Sequence, residues 1–456
     1  MTTAPLPPVT RRRPRPSREV SGNFAAIVVI NGLLAIGLWL RHGGLSTNSG
    51  AGGAMTSIGQ VTGLVGAYLV LVQLLLMARI PWVEREVGFD RLAIWHRWNG
   101  FAATWLLLVH AVTITVGYAQ SNRASVPGQF LDFINHYPDV LMAIVATGLL
   151  IAIAVTSVRR ARAKIDREAW YFVHLYAYLA VALGFAHQLA VGTDFVDDPV
   201  ARTWWIALYV VVVGALLVWR VAQPVWFNVR HQLRVSKVSF ESPDVISIYV
   251  TGRDLRGIDA QPGQFFLWRF LTRDRWWQAH PFSLSEAPRS NRLRITVKAL
   301  GDYSHDLRSI APGTRVFAEG PYGAFTAEQQ TSSKVLLIAG GIGITPVRAL
   351  LESVDVAHGD VTLLYRVEHE QDLVFWGELG RLAQERGVAV YPLVGPEIGD
   401  DQTDRLGLPA LRSMVPDIHE RDVFLCGPPG LVDVVVHRLH RLGVPRHQIH
   451  AERFAY

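Results

Sequence analysis

At 456 residues the chain is too long for one compact domain, and its apolar content is spread unevenly along it. Its single cysteine, Cys426, excludes internal disulfides, cysteine-ligated iron–sulfur clusters and Cys-type zinc sites. The net charge of +6 does not point to nucleic acid, because the basic residues gather beside apolar spans, where membrane orientation accounts for them.

Residues 1–20 form a Pro/Arg-rich tail with Arg11, Arg12, Arg13, Arg15 and Arg18, expected to be disordered and cytoplasmic. The apolar run that follows is too long for the core of a signal peptide and lacks a convincing cleavage site. Residues 21–225 contain six apolar stretches of spanning length, near Asn23–Leu40, Ile58–Met77, Leu92–Val116, Val140–Val158, Trp170–Leu189 and Trp204–Trp219. The tail, the 79–91 loop (Arg79, Arg85, Arg91) and the 158–168 loop (Arg159, Arg160, Arg162, Lys164, Arg167) are basic, whereas the intervening loops carry only Arg41, Arg123 and Arg202. This asymmetry predicts a multi-pass protein of the cell membrane with both termini in the cytoplasm.

Four histidines lie inside these spans: His96 and His110 in the third, His174 and His187 in the fifth. Ionisable side chains at membrane depth are costly and mark function. His96 and His110 are fourteen residues apart, roughly 21 Å along a helix and nearly four whole turns, so both rings point to one side. Two such helices suit a pair of stacked haems, each iron held by one imidazole from each helix. His174 and His187 are thirteen apart, which on a straight helix turns the rings roughly 140° from one another; a local distortion or offset haems would have to absorb this. Any one of the four could instead be a membrane histidine bonded to a neighbouring helix. Together they favour haem ligation, with equal depth pairing His96 with His174 (inner) and His110 with His187 (outer). Arg97, Arg159 and Arg160 are placed to meet haem propionates or lipid headgroups.

From about Trp226 the pattern changes to short alternating strands broken by Ser, Gly and Pro, which predicts a small antiparallel β-barrel over residues 226–328. It carries His280-Pro281-Phe282-Ser283-Leu284-Ser285, then Lys298, Gly301 and Ser304, then Gly320-Pro321-Tyr322-Gly323. Tight turns, hydroxyls and a basic group in this order suit an extended phosphate-bearing cofactor. Residues 329–456 alternate buried strands with helices and predict a doubly wound α/β domain with a parallel sheet. Gly340, Gly341, Gly343, Thr345 and Pro346 follow its first strand, where a pyrophosphate can approach the backbone and a helix N-terminus. The spacing is not GxGxxG. Cys426-Gly427-Pro428 ends the last strand, opening a crevice at the carboxyl ends.

These motifs, with the four histidines, resemble the bacterial NADPH oxidase/ferric reductase superfamily over nearly the whole chain after the tail. The resemblance implies a ferric reductase-like six-helix transmembrane di-haem domain fused to a ferredoxin–NADP reductase-type module. It matches the unequal histidine spacing. It also implies that His280, Pro281 and Phe282 bind FAD, that Ser283 lies near its N5, and that Lys298, Gly301 and Ser304 form the second flavin-phosphate segment. The GGIGITP loop would take the nicotinamide nucleotide and Cys426 would sit beside the nicotinamide. Phe454 would shield the flavin, with Tyr456 as runner-up. Arg366, at the end of the second α/β strand, suits a 2′-phosphate and favours NADPH over NADH.

The function implied is transmembrane electron transfer from cytosolic NADPH through FAD and two b-type haems to an extracytoplasmic acceptor, O2 giving superoxide. A ferric-chelate or quinone reductase uses the same path, and a transporter with a dinucleotide-sensing domain is the rival of another class. No EF-hand loop and no docking sequence for a cytosolic activator is evident in the sequence.

Overall fold

A computed structural model describes residues 18–45, 50–158, 164–165, 167–395, 401 and 404–454. Of the features singled out above, tail residues 1–17, Arg159, Arg160, Arg162 and Tyr456 lie outside the described residues. Two compact units meet between Ala222 and Gln223.

The first unit is helical: α1 (Arg18–Arg41), α2 (Gly50–Leu76), α3 (Pro81–Val87), α4 (Phe89–Ser121), α5 (Val126–His136), α6 (Val140–Ser157), α7 (Arg167–Val191), α8 (Thr193–Val196) and α9 (Pro199–Leu216). Among the described residues six helices are long and apolar enough to cross a membrane, at Gly22–Arg41, Gly50–Leu76, Arg91–Ser121, Val140–Ser157, Ala169–Val191 and Pro199–His231. The last runs on through a π-helical turn, Leu217–Ala222, into α10 (Gln223–His231) and straight to the first strand.

Helix packing here depends on small residues, because lipid gives apolar side chains no reason to prefer protein. α2 supplies them against α4. Gly52 meets the backbone of Gly117, Gly59 meets Ile114, and Gly66 meets Leu107. Each contact is so close that a Cβ on the glycine would fall 2.5–3.0 Å from its neighbour. Buried polar groups close within the unit. Tyr68 donates to Val28 O at 2.7 Å, and Gln188 Oε1 accepts from Trp205 Nε1 at 2.8 Å and Tyr209 Oη at 3.0 Å.

The second unit begins with α10 and eleven strands: β1 (Arg234–Ser242), β2 (Val245–Thr251), β3 (Phe265–Phe270), β4 (His280–Ser283), β5 (Leu293–Lys298), β6 (Val316–Tyr322), β7 (Val335–Gly340), β8 (Val361–Val367), β9 (Ala389–Val394), β10 (Asp422–Gly427) and β11 (Ile449–Arg453). The expected barrel does not close. Two three-stranded antiparallel sheets form instead, in the orders β1-β2-β5 and β4-β3-β6. Isolated bridges, Arg234 with Arg315 and Leu284 with Ile295, link them. Bulges in β1 near Val235/Lys237 and Phe240/Ser242 add local twist, and β6 turns away to pair with β3 after one short contact with β1. Period-two burial still encloses one core, with Phe266, Trp268 and Phe270 of β3 against Ile246, Ile248 and Val250 of β2.

β7–β11 form an entirely parallel sheet in the order β11-β10-β7-β8-β9. Alternate residues of β7 feed opposite cores: Val335, Leu337 and Ala339 on one face, Leu336 and Ile338 on the other. Burial on both faces explains the continuous apolar run. The helices α11 (Asp302–Asp306), α12 (Ile344–Leu351), α13 (Trp376–Arg386), α14 (Leu408–Met414) and α15 (Pro429–Arg441) complete the unit.

Asn228 ties α10 to the antiparallel sheets, its side chain donating to Pro224 O and Ala318 O and accepting from Ala318 N, each at 2.8 Å. Asn228→Ala leaves a strand N–H and C=O short of partners and is expected to cost about 1–3 kcal/mol. Thermal release of bound flavin from the purified chain should then occur at a lower temperature, and an unchanged midpoint would refute the assigned tie.

Candidate cofactor sites

In the membrane unit α4 and α7 place their histidines in two levels. His96 and His174, each near the start of its helix, have ring centroids 6.1 Å apart with planes inclined by 56°. That gap admits one metal ion held about 2 Å from a nitrogen of each ring. Farther along, His187 lies within electrostatic reach of His110. α7 is α-helical across both of its histidines, so no break in the helix absorbs the thirteen-residue spacing.

α2 orients the α4 pair. His96 Nδ1 meets Gln73 O at 3.2 Å and His110 Nδ1 meets Gly59 O at 2.8 Å. A carbonyl only accepts, so Nδ1 carries the proton and Nε2 keeps its lone pair for a ligand. Gln73 and Gly59 are fourteen residues apart, the spacing of His96 and His110 on the facing helix. Gly63 makes the approach possible, since a Cβ there would lie 2.4 Å from His110 Nδ1. On α7 the Nδ1 atoms of His174 and His187 are buried without a hydrogen-bond partner among the described residues. Trp170 stacks on His174 at 4.9 Å. Asp139, left-handed at φ 60° where α6 begins, is the carboxylate in electrostatic range of His187.

Among the described residues no group of three or more His, Cys, Asp or Glu gathers to hold a metal ion. Two-histidine pairs fit a metal whose other positions are filled by a macrocycle, so the donor set suits haem.

In the second unit His280 stacks on Tyr303 with centroids 3.7 Å apart, and Trp268 Nε1 holds the backbone of Phe282 at 2.9 Å. Ser283 Oγ and Tyr303 Oη are both buried without a hydrogen-bond partner among the described residues. Burial pushes the Tyr303 phenol up to about 12, so it is a neutral donor. Two orphaned hydroxyls beside a stacked aromatic pair fit a flavin.

Other expected contacts are engaged within the protein. Ser285 is buried, its hydroxyl accepting from Arg294 Nε at 3.1 Å and Thr296 Oγ1 at 2.8 Å, which makes it a support. Lys298 Nζ lies 3.3 Å from Asp244. Ser304 Oγ accepts from the backbone N–H groups of Leu300 and Gly301 and shapes the turn. Pro281 lies within β4.

The carboxyl ends of β7 and β10 converge. Gly340 and Gly343 pass close to the Cys426 loop, and a Cβ on Gly343 would lie 2.2 Å from Cys426 O, whereas Gly341, at φ 53°, faces open space. A Cβ on Gly340 would lie 2.1 Å from Leu431 and 3.2 Å from Pro428. Thr345 and Pro346 are buried in the first turn of α12, with Thr345 Oγ1 donating to Ile342 O at 3.0 Å. Phe454 N donates to Gly427 O at 3.1 Å, which holds the aromatic ring beside the same loop. Arg366 Nη1 and Arg405 Nε lie 3.9 and 3.7 Å from the side-chain position of Gly395.

Sequence reasoning missed Glu452. Parallel register sets it beside Cys426, and its Oε1 lies 3.9 Å from the side-chain position of Gly323. Burial, reinforced by Glu452, pushes the Cys426 thiol well above its ordinary range, so it is neutral and no nucleophile. Arg405, which joins Arg366, was missed as well. Only the register and the loop path reveal these neighbours.

Comparison with known proteins agrees with this division. The ferric reductase like transmembrane component family matches residues 62–185, an FAD-binding domain family matches 230–326, and an oxidoreductase NAD-binding domain family matches 337–437. A flavohemoprotein from Deinococcus radiodurans is 31% identical over 210 residues, 42% of this chain and 51% of that protein. An NADPH oxidoreductase from Mycobacterium tuberculosis is 27% identical over 243 residues, 51% of this chain and 62% of that protein. The chain thus spans between half and two thirds of these relatives. A solved flavohem-like FAD/NAD binding domain of a nitric oxide dioxygenase from Vibrio cholerae is 27% identical, covers 49% of this chain and 98% of its own, and gives a TM-score of 0.40.

Gly343→Ala should force the two loops apart. FAD content should stay normal while the KM for the reduced nicotinamide nucleotide rises at least tenfold, about 1.4 kcal/mol; a wild-type KM would show that the close approach is dispensable. With six helices long and apolar enough to cross a membrane among the described residues, and a ferric reductase like transmembrane component followed by FAD-binding and NAD-binding oxidoreductase domains, the chain has the domain architecture of the NADPH oxidase/ferric reductase superfamily.

Proposed function

We propose that the chain moves electrons from NADPH on the cytoplasmic side, through FAD and two b-type haems, to an acceptor on the opposite side, where O2 becomes superoxide. The observation that carries this reading is the double histidine ladder, with two Nδ1 atoms held by backbone carbonyls of α2 and two more buried on α7. When bound, the cofactors supply the redox chemistry: hydride from the nicotinamide, conversion to single electrons at the flavin, and one-electron passage at the haems.

The residues bind, orient and exclude. His96 with His174 would hold the inner haem and His110 with His187 the outer. The α2 carbonyls keep the α4 rings in one tautomer. Ser283 and Tyr303 would donate to the flavin, and Phe454 covers the position that the nicotinamide must enter. Neutral Cys426 would pack beside it, with Glu452 next to Cys426 in the parallel register. Arg366 and Arg405 would meet a 2′-phosphate, which favours NADPH. Basic residues in the 79–91 loop, with Lys164 and Arg167, support a cytoplasmic placement of that side in the cell membrane, and an even number of spans supports the same side for both ends. Each haem would be held by two histidines of this chain and would supply one-electron reduction of the acceptor. The match to a ferric reductase like transmembrane component favours a second reading, a ferric chelate as acceptor.

An absorption spectrum of detergent-purified protein, given NADPH without oxygen, tests the path. The expected result is flavin bleaching and two reduced bis-histidine haems per chain, with His110→Ala losing one haem and keeping flavin reduction. Flavin without haem would end the transmembrane reading. Superoxide and ferric-chelate assays on the same preparation then separate the acceptors. Arg366→Ala should lower the preference for NADPH over NADH at least tenfold, and an unchanged ratio would remove Arg366 from the 2′-phosphate site.

A further inference from the structure

One half-buried carboxylate joins the flavin-binding sheets to the nucleotide-binding domain. Glu378, in the first turn of α13, accepts two hydrogen bonds from Arg294 of β5, at 2.8 Å from Nη1 and 3.1 Å from Nη2. Its Oε2 also lies 2.9 Å from Arg348 Nε of α12, an ion pair without hydrogen-bond alignment. Both arginines then reach one backbone oxygen, Ser285 O, at 2.8 Å from Arg294 Nη2 and 3.2 Å from Arg348 Nη1. Glu352, one turn beyond Arg348, adds a 3.0 Å pair to Arg348 and accepts from Ala287 N at 2.5 Å. The side chains of Arg294 and Arg348 are 2% and 6% exposed, and the Arg294 guanidinium lies over the Phe375 ring at 4.6 Å. Burial alone would raise the Glu378 carboxyl, but Arg294 and then Arg348 hold it below the ordinary range, so it is charged.

The chain position of these groups gives the network its consequence. Ser285 is two residues beyond Ser283, the orphaned hydroxyl of the flavin motif. Arg348 is on the helix that opens with the Gly340–Gly343 loop. The network therefore fastens the flavin segment to the phosphate loop. A surface ion pair contributes little, but here a half-buried carboxylate is shared by two buried guanidiniums, and its loss takes the carboxylate from Arg294 and leaves Arg348 paired with Glu352.

We propose that Glu378 is a positioning residue for hydride transfer, setting the register between the flavin and the nicotinamide. A near-attack geometry is sensitive to shifts of about 1 Å, so a loosened clamp slows the reaction without removing either cofactor. The inference rests on the assignment of the flavin and nucleotide sites above.

The test uses the full-length holoprotein with Glu378→Gln and, separately, Arg348→Lys. Each is mixed with NADPH anaerobically in a stopped-flow spectrometer. The expected result is a flavin reduction rate at least tenfold below wild type and a weakened flavin–nicotinamide charge-transfer band, with FAD content intact and KM changed less than kcat. A network that merely stabilises the fold would lower the unfolding temperature and leave the band and the rate alone, which overturns the proposal. If Glu378→Gln does not retain FAD, Arg348→Lys decides by the same two readouts. Wild-type protein that binds FAD but shows no charge-transfer band with NADPH would overturn the site assignment beneath the proposal, and the proposal with it.

Discussion

An imidazole at membrane depth has an N–H that water does not reach, and in this chain the backbone of α2 meets that need for two histidines. The carbonyls of Gln73 and Gly59 repeat the fourteen-residue spacing of His96 and His110, so two antiparallel helices stay in step over both contacts. The glycines of α2 make the approach close enough. With Nδ1 satisfied on α2, each ring is left with Nε2 as its available lone pair. The α7 histidines lack such carbonyls, and their surroundings differ: an indole stacks on His174, and a carboxylate stands in range of His187. The two levels of the ladder are thus built from the same ligands in unlike environments.

The second unit faces a different constraint. Nucleotide phosphates need bare backbone at the carboxyl ends of a parallel sheet, and two such loops converge here. Gly343 against Cys426 and Gly340 against Pro428 leave no room for a Cβ, so close packing selects the glycines. The same convergence brings Cys426, Glu452 and Phe454 to one edge. The Glu378 network then relates that edge to the flavin motif on another sheet. Cofactors carry the electron chemistry, and the protein's work is largely the fixing of distances between them.

Much of this was legible in the sequence. Six apolar stretches of spanning length stand out because a bilayer demands about twenty residues of helix each. The parallel sheet declared itself through strands buried on both faces, and the β3 alternation FFLWRF marked a half-buried strand. Closure of the barrel was not legible. Alternation says which face of a strand is buried, but not which edges pair. Residue type alone also did not show the partners that Lys298, Ser304 and Ser285 have within the protein. A lysine or hydroxyl in a phosphate-suited order is equally suited to an Asp244 ion pair, a helix cap or a buried arginine.

Residue type and spacing by themselves determined the class of chemistry: four membrane histidines, one cysteine, a flavin-type turn motif and two glycine loops permit few cofactors. Local periodicity also determined which segments span and which form strands, because those depend on neighbours within a few residues. Only the tertiary structure decided how the parts address one another. It put His96 beside His174, gave Gln73 O and Gly59 O to the α4 rings, set Glu452 against Cys426 and gathered Arg294, Arg348 and Glu378. Each of these contacts joins residues far apart in the chain, and its distance depends on helix packing and strand register, which no short window of sequence contains.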